Sequence, residues 1–273
     1  RYSNLSVRIP SLSSQIDAWW TSHTALILLM TSTASPHDFL VTNYIQQGGA
    51  GKVYAAKWKS CADRAVALKF FGYTQREPKE ADIAAEIELL QSLKGVMGIV
   101  QLEAVFMDPP RGIVPGKQYR RSYPCIVMEL LEGGELFDKL DNTDAISEKD
   151  IAHIFRGIVL ALKSCHDMGF IHRDLKLENV MLTSKLPGSA VKLIDFGMMV
   201  RLQPDQAYHK SSSVHGTPGF VAPESLIHKV YSPASDIWQA GVCLYCMLSG
   251  LAPFHPKHPQ QIVNGTYFPM AGV

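Results

Sequence analysis

The sequence predicts an α+β fold of two lobes, in which a small antiparallel sheet with one helix precedes a larger, mainly helical lobe. Short runs rich in β-branched and aromatic residues dominate positions 38–129, which is typical of strands. Helical periodicity prevails after the Gly133-Gly134 pair. With 47% apolar and 19% charged residues among 273, the composition is that of a globular protein with a sizeable core.

The first 37 residues fit neither lobe. They contain 12 serine or threonine residues, one acid and no sustained period, so we expect a flexible extension, with a transit peptide as the alternative. The first lobe is then expected over residues 38–131 and the second over residues 132–273. The apolar run Ala25–Met30 is far shorter than the roughly 20 residues of a membrane-spanning helix. We therefore expect neither a membrane span nor a secretion signal.

Five strands are predicted in the first lobe, with turn residues between most of them. They span Phe39–Ile45, Val53–Trp58, Ala65–Phe71, Ile99–Met107 and Cys125–Glu129. A helix is predicted over Glu80–Leu93, because Ile83, Ile87 and Leu90 recur at helical spacing. A proline-rich surface loop is expected over Asp108–Pro124, between the last two strands.

Two long helices are predicted in the second lobe. Residues 150–169 place Ile151, Ile154 and Ile158 on one face, and Gly169 is a suitable stop. Residues 235–249 are apolar on almost all sides, which is typical of a buried helix. The intervening residues 201–218 form a polar segment.

Charge and cysteine content limit the partners and the compartment. A net charge of +1 lacks the general basic surplus of a nucleic-acid-binding protein. The cysteines at 61, 125, 165, 243 and 246 are too scattered for a disulfide framework, so we expect reduced thiols and a cytoplasmic location, with nucleus or organelle left open. Cys243 and Cys246 have C-x-x-C spacing, for which buried core thiols are favoured over a metal or redox site.

Oxygen-bearing and basic side chains gather in two short segments bounded by apolar runs. Residues 171–179 read IHRDLKLEN, and residues 191–197 read VKLIDFG. Mg²⁺ binds carboxyl-type and phosphate oxygens, which suits Asp195 and Asn179. Asp174 is then free to accept a proton from a hydroxyl nucleophile.

These segments resemble the eukaryotic protein kinase family. Residues 172–174 with Asn179 match its catalytic loop, residues 195–197 its metal-binding motif, and residues 222–224 the end of its activation segment. The resemblance implies a two-lobed kinase fold, ATP and Mg²⁺ as cofactors, and transfer of the γ-phosphate to protein hydroxyls. It also assigns stabilisation of the transferring phosphoryl group to Lys176.

The resemblance extends to the nucleotide site. Lys69 matches the strand lysine that orients the phosphates. Glu86 shares the apolar face of its predicted helix, so its carboxylate needs a partner, and Lys69 is the expected one. Met128 matches the gatekeeper position. The remaining nucleotide contacts implied by the resemblance are Gly48, Gly51, Val53, Ala67, Glu129, Leu131 and Met181.

The glycine-rich loop departs from the family pattern. Gln46 stands where the family has its first glycine, whereas Gly48 and Gly51 remain. This departure, together with the C-terminal helices that the family has and this sequence lacks, motivates two alternatives. One is a non-catalytic, kinase-like nucleotide-binding module, and the other is an inactive kinase fragment.

Three places in the sequence indicate the substrate class. Lys176 is typical of serine/threonine kinases, and Thr217 resembles the threonine that abuts the catalytic aspartate. Glu135 and Glu178 match acids with which basophilic kinases bind an upstream arginine, although two solvated surface acids remain the alternative. Residues 133–138, GGELFD, also resemble the calcium/calmodulin-dependent group. The expected partners are proteins with Ser/Thr acceptors, without nucleic acid or membrane.

Regulation and the C-terminal region complete the expectations. Ser213 matches the usual phosphorylation position, where an upstream kinase would act and Arg173 would pair with the phosphate; an unmodified polar loop is the alternative. Asp236 resembles the residue that caps the catalytic-loop backbone. The second lobe is expected to be incomplete, with Glu224 lacking its arginine partner and part of helix 237–248 facing solvent.

Overall fold

The computed structural model of the chain describes residues 38–47, 51–71, 79–106, 124–141 and 146–270. The expected N-terminal extension, Gly48 and nearly all of the expected surface loop 108–124 lie outside the described residues. Within the described ranges, no helix combines the length and apolar character needed to cross a membrane.

The first part of the chain forms a five-stranded antiparallel sheet in the order β1-β2-β3-β5-β4. Its strands are β1 (Phe39–Gln47), β2 (Gly51–Trp58), β3 (Cys61–Phe71), β4 (Leu102–Phe106) and β5 (Cys125–Glu129). The described residues of this part form one helix, α1 (Glu80–Ser92), which lies between β3 and β4 in sequence. Because side chains alternate along β3, Val66 and Leu68 pack in a small outer core, whereas Ala67 and Phe71 join the main core.

The rest of the chain is mainly helical and confirms the predicted α+β fold. Its helices are α2 (Leu136–Asp141), α3 (Glu148–Asp167), α4 (Pro223–His228), α5 (Pro233–Ser249) and α6 (Gln260–Asn264), and a 3-10 turn spans Leu177–Asn179. Three two-stranded ribbons pair β6 (Phe170–Ile171) with β9 (Val200–Arg201), β7 (Val180–Leu182) with β8 (Val191–Leu193), and β10 (His209–Lys210) with β11 (Val230–Tyr231).

Helices α3 and α5 pack against each other and have clear boundaries. Ser147 caps α3 by accepting a hydrogen bond from the Asp150 amide at 3.2 Å. The α5 helix begins with a capping box formed by Ser232 and Ser235. Its apolar surface is only partly covered, since Ile237 is 50% exposed, as expected for part of this helix. The helix thereby supplies both a core face and a set of buried polar groups.

The predicted strand Ile99–Met107 is too long at its start. Ile99 makes an isolated parallel bridge with Leu193 of β8. The amide of Leu193 donates to Gly98 O at 2.9 Å, and the amide of Val100 donates to Leu193 O at 3.0 Å. Residues 98–100 therefore satisfy their backbone groups on β8, and the sheet strand starts only at Leu102.

Candidate active site

A cavity of about 570 Å³ separates the sheet from the helical part, which is a volume typical of small-molecule sites. Its apolar lining combines residues of β2, β3 and β5 with residues of the second part of the chain. All described residues that the sequence assigns to nucleotide binding line it: Gly51, Val53, Ala67, Lys69, Met128, Glu129, Leu131 and Met181. Gly48 lies outside the described residues.

Gly51 has a structural reason to be glycine. A Cβ atom at this position would lie 2.1 Å from Phe70 O on the neighbouring strand. The close approach of β2 to β3 therefore requires the missing side chain here. This requirement adds to the access to phosphates that the sequence indicates for Gly51.

A buried ion pair joins Lys69 of β3 to Glu86 of α1. Burial acts to lower the pKa of Lys69, but the carboxylates of Glu86 and Asp195 outweigh it, so the pKa is raised above its ordinary value. Lys69 therefore remains charged at neutral pH. Glu88, on the opposite side of α1, is exposed, as the helical spacing indicates.

Asp174 stands where the cavity meets the segment that contains Thr217. The backbone amide and the hydroxyl of Thr217 both donate to Asp174 Oδ1 at 2.7 Å. The other carboxylate oxygen, Oδ2, lies 3.9 Å from Lys176 Nζ. One oxygen of Asp174 is thus fixed, and the other lies beside a cation.

The catalytic loop, residues 172–179, rests on two buried side chains of α5. Asp236 accepts hydrogen bonds from the amides of His172 at 2.8 Å and Arg173 at 2.9 Å, as the resemblance implies. Gln239 accepts from the Leu175 amide at 3.0 Å and donates to Arg173 O at 2.8 Å. Gln239 was not predicted from the sequence, although its position three residues after Asp236 puts both residues on one helix face.

These bonds explain an unusual backbone conformation in the loop. Arg173 has a φ of 69°, in the left-handed region that costs free energy for a residue other than glycine. Its amide and its carbonyl are both held by α5. The α5 contacts therefore hold a strained loop that presents Asp174 to the cavity.

Two oxygen donors suit a shared magnesium site. Asn179 Nδ2 donates to Asp174 O at 2.8 Å, and Asp195 Oδ1 accepts from the Gly197 amide at 3.0 Å. Within the described ranges, Asn179 Oδ1 and Asp195 Oδ2 accept no hydrogen bond. The described part of the chain contains no cluster of three His, Cys, Asp or Glu side chains that could hold a metal ion alone. The donor set fits Mg²⁺ whose shell is completed by phosphate and water.

Glu129, which follows Met128 on β5, is held by a lysine that was not predicted from the sequence. Lys192 of β8 forms an ion pair with Glu129. The same carboxylate accepts a hydrogen bond from the Gln101 amide at 2.7 Å. Lys192 lies between the buried residues Val191 and Leu193, and this alternation was the available signal that its side chain faces elsewhere.

Acidic side chains cluster at the mouth of the cavity. Glu135 and Glu178 both line it, and both are half-buried rather than fully solvated. Burial raises the pKa of Glu135, and the neighbouring charges of Asp138 and Glu178 raise it further. The Gln46 side chain and the charge of Lys176 act to lower this pKa.

The residues expected to regulate the protein do not contact one another. Ser213 Oγ lies 3.1 Å from His215 Nε2. Arg173 instead donates through Nε to Met198 O, and its guanidinium lies over the Tyr231 ring at 5.4 Å. A phosphate on Ser213 would therefore have to draw Arg173 away from these two partners.

The remaining candidate residues carry no further chemistry. All five cysteines are free, and four of them, including Cys243 and Cys246, are buried. Burial is the main cause that raises the pKa of Cys246 to about 11, so the thiol stays protonated. Glu224 has no ion-pair partner among the described residues.

Comparison with known proteins gives a consistent result. The family model of the protein kinase domain matches residues 39–270. Calcium-dependent protein kinase 26 of Arabidopsis thaliana is 36% identical over 243 residues, which cover 88% of this chain and 47% of the relative. Calcium-dependent protein kinase 5 of Oryza sativa subsp. japonica is 39% identical over 183 residues, which cover 67% and 30%. The chain thus spans less than half the length of these relatives.

Proposed function

The chain belongs to the protein kinase family, and we propose that it is an ATP-dependent kinase that phosphorylates serine and threonine hydroxyls of proteins. One observation carries this proposal. The Lys69–Glu86 ion pair, Asp174 and the oxygen donors of Asn179 and Asp195 converge on one cavity. This is the set of groups that phosphoryl transfer from ATP requires.

The cavity supports a definite orientation of the nucleotide. Val53 and Ala67 on one side and Met181 on the other form an apolar slot for the adenine. The backbone from Glu129 to Leu131 borders this slot and supplies its polar edge. The charged Lys69 then lies on the phosphate side, where its Nζ neutralises negative charge.

Catalysis would rest mainly on positioning and electrostatics. Asp174 takes the proton of the acceptor hydroxyl as its oxygen attacks the γ-phosphorus, while the bond from that phosphorus to the β,γ-bridging oxygen breaks. Lys176 stabilises the negative charge on the transferring group. Mg²⁺ held by Asn179 and Asp195 supplies charge neutralisation of the phosphates.

The acids at the mouth support a basophilic substrate preference. Glu135 and Glu178, with Asp138 nearby, concentrate negative charge beside the cavity. A carboxylate binds the planar guanidinium group of arginine through two parallel hydrogen bonds. We therefore propose protein substrates with an arginine on the N-terminal side of the acceptor. We also propose that a separate activating kinase phosphorylates Ser213. The five free cysteines support a reducing, cytoplasmic compartment.

The test is phosphotransfer from Mg²⁺–ATP to a serine peptide with an upstream arginine. Asp174→Ala and Asp195→Ala are each expected to lower the rate by at least about 10²-fold, because each removes a group that acts in the transition state. Asp167→Ala is the matched control, since that acid is 61% exposed and, among the described residues, pairs only with Lys163. Unchanged turnover in Asp174→Ala would refute the proposal.

The alternative function is a nucleotide-binding module without catalysis. Gln46, in place of a glycine above the phosphates, is the observation that favours it. ATP binding by the folded wild type without any transfer would support this alternative. Transfer that disappears in Asp195→Ala would exclude it.

A further inference from the structure

Tyr231 is a buried tyrosine whose hydroxyl binds the segment in front of Thr217. It is the last residue of β11 and is 1% exposed. Its hydroxyl accepts a hydrogen bond from the His215 amide at 2.5 Å and donates one to His215 O at 3.0 Å. One side chain therefore satisfies both backbone groups of His215. These two hydrogen bonds fix the backbone two residues before Thr217.

Gly216 transmits this constraint from His215 to the catalytic loop. Its φ of 104° lies in the left-handed region that favours glycine. A Cβ atom at this position would lie 2.8 Å from Arg173 O, so the segment passes directly against the loop. The next residue, Thr217, donates from its amide and its hydroxyl to Asp174 Oδ1 at 2.7 Å. The orientation of Asp174 therefore depends on where His215 places the backbone of Thr217.

The ring of Tyr231 contacts the catalytic loop from the same position. The guanidinium of Arg173 lies over the ring at 5.4 Å from its centroid. The His215 ring meets it edge to face, with 6.2 Å between the centroids. Tyr231 also directly precedes Ser232, which caps the α5 helix that binds the loop amides. Tyr231 thus touches both segments that adjoin Asp174.

We propose that Tyr231 is a positioning residue for phosphoryl transfer, and that its hydroxyl sets the orientation of the Asp174 carboxylate through His215 and Thr217. This inference rests on the proposed function, because it takes Asp174 as the group that accepts the proton. Tyr231 does not line the cavity, so it acts on the reaction through other residues. A small displacement of the proton acceptor slows the chemical step without weakening the binding of ATP.

Removal of the hydroxyl alone tests this role. Tyr231→Phe keeps the ring that contacts Arg173 but leaves the backbone groups of His215 without their partner. We expect kcat to fall about tenfold at an unchanged KM for ATP, which is a partial form of the loss that a misplaced catalytic group causes. Tyr245→Phe is the matched control, because the Tyr245 hydroxyl also donates to a backbone carbonyl, that of Phe268. This control should cost stability but leave kcat unchanged.

A double-variant cycle separates positioning from a general loss of stability. Thr217→Ala removes one of the two hydrogen bonds to Asp174, so the loss caused by Tyr231→Phe should shrink in this background. Hydrogen–deuterium exchange of the full chain without ATP measures the same link independently of activity. The Thr217 amide should exchange faster in Tyr231→Phe than in the wild type or in Tyr245→Phe.

Several outcomes would overturn the inference. They are an unchanged kcat in Tyr231→Phe, an equal loss of kcat in Tyr245→Phe, a raised KM for ATP at constant kcat, and a loss that is fully multiplicative with that of Thr217→Ala. A folded wild type without phosphotransfer would refute the proposed function and, with it, the catalytic consequence of Tyr231. Unchanged exchange of the Thr217 amide in Tyr231→Phe would refute the link between the two residues whether or not the protein is active.

Discussion

The catalytic loop and the strand pair β1–β2 face each other across the cavity but are held in different ways. In the loop, Asp236 and Gln239 bind four backbone groups from inside the core. The β1 strand lies at the edge of the sheet, and most of its side chains are exposed. At its end, Gln46 lines the same cavity as Glu135 of the second part of the chain.

This difference indicates how the two walls divide their tasks. In the proposed phosphoryl transfer, the rate depends on the position of Asp174, and a misplacement of about 1 Å is enough to cost a large factor in rate. The loop is therefore fixed by several buried contacts at once. Residues of the strand pair line the cavity, where a single side chain can change the affinity for a ligand without moving the loop.

The strongest effect is expected when the loop support is removed. Asp236→Ala leaves two buried amides, those of His172 and Arg173, without acceptors, at a cost of about 2–5 kcal/mol. The melting temperature should fall by roughly 5–15 °C, and kcat should fall by about 10²-fold. Thermal unfolding and steady-state kinetics measure the two quantities. Asp167→Ala, at an exposed acid, should change neither, and a stable, fully active Asp236→Ala would contradict the account.

A smaller effect is expected at Glu129, the last residue of β5. Lys192→Met removes the cation that holds the Glu129 side chain beside the adenine slot. We expect the KM for ATP to rise about three- to tenfold at nearly constant kcat, because binding is weakened equally in the ground and transition states. Initial rates at varied ATP give both parameters. Lys185→Met, on an exposed turn, is the control, and a fall in kcat with constant KM would show that Lys192 acts on chemistry instead.

The smallest effect concerns pH at the cavity mouth. The pKa of Glu135 is raised mainly by burial and also by Asp138 and Glu178, and only the deprotonated form pairs with arginine. Affinity for the arginine peptide should therefore be complete above this pKa and be lost as the pH falls through it. The Gln46 side chain acts to lower this pKa, so Gln46→Ala should lose affinity at a higher pH than the wild type.

Anisotropy titrations between neutral and acidic pH would measure this shift. A control peptide with norleucine in place of the arginine corrects for any general effect of acid on the protein. Identical midpoints for wild type and Gln46→Ala would show that the glutamine has no influence on Glu135. A midpoint that also shifts in Gln47→Ala would point to a change in the whole strand.

Local sequence patterns were enough to predict the parts of the site that depend on one element. The spacing of Glu86 on its helix predicted the ion pair with Lys69, and the structure contains it. The strands of the sheet were predicted to within four residues: β3 starts four residues earlier than predicted, at Cys61, and β4 starts three residues later, at Leu102. Short elements such as α2, α4 and α6 were missed, because five or six residues carry too little periodicity.

Several contacts between distant segments could not be predicted from the sequence. Lys192 and Glu129 are 63 residues apart, and neither has a local pattern that names the other. Gln46 and Glu135 line the same cavity and likewise belong to two elements whose relative position only the folded chain defines. The predicted start of the fourth strand at Ile99 was wrong for a similar reason, since residues 98–100 pair with Leu193 rather than with the sheet.

Hydrogen–deuterium exchange of the full chain, with and without Mg²⁺–ATP, compares the two walls most directly. The account predicts slow exchange for peptides that contain the amides of His172, Arg173 and Leu175 in both states, because buried α5 side chains bind them. Peptides from the edge strand β1 should exchange quickly in the free protein and more slowly with the nucleotide. A catalytic loop that exchanges as fast as β1 in the free protein would contradict the account.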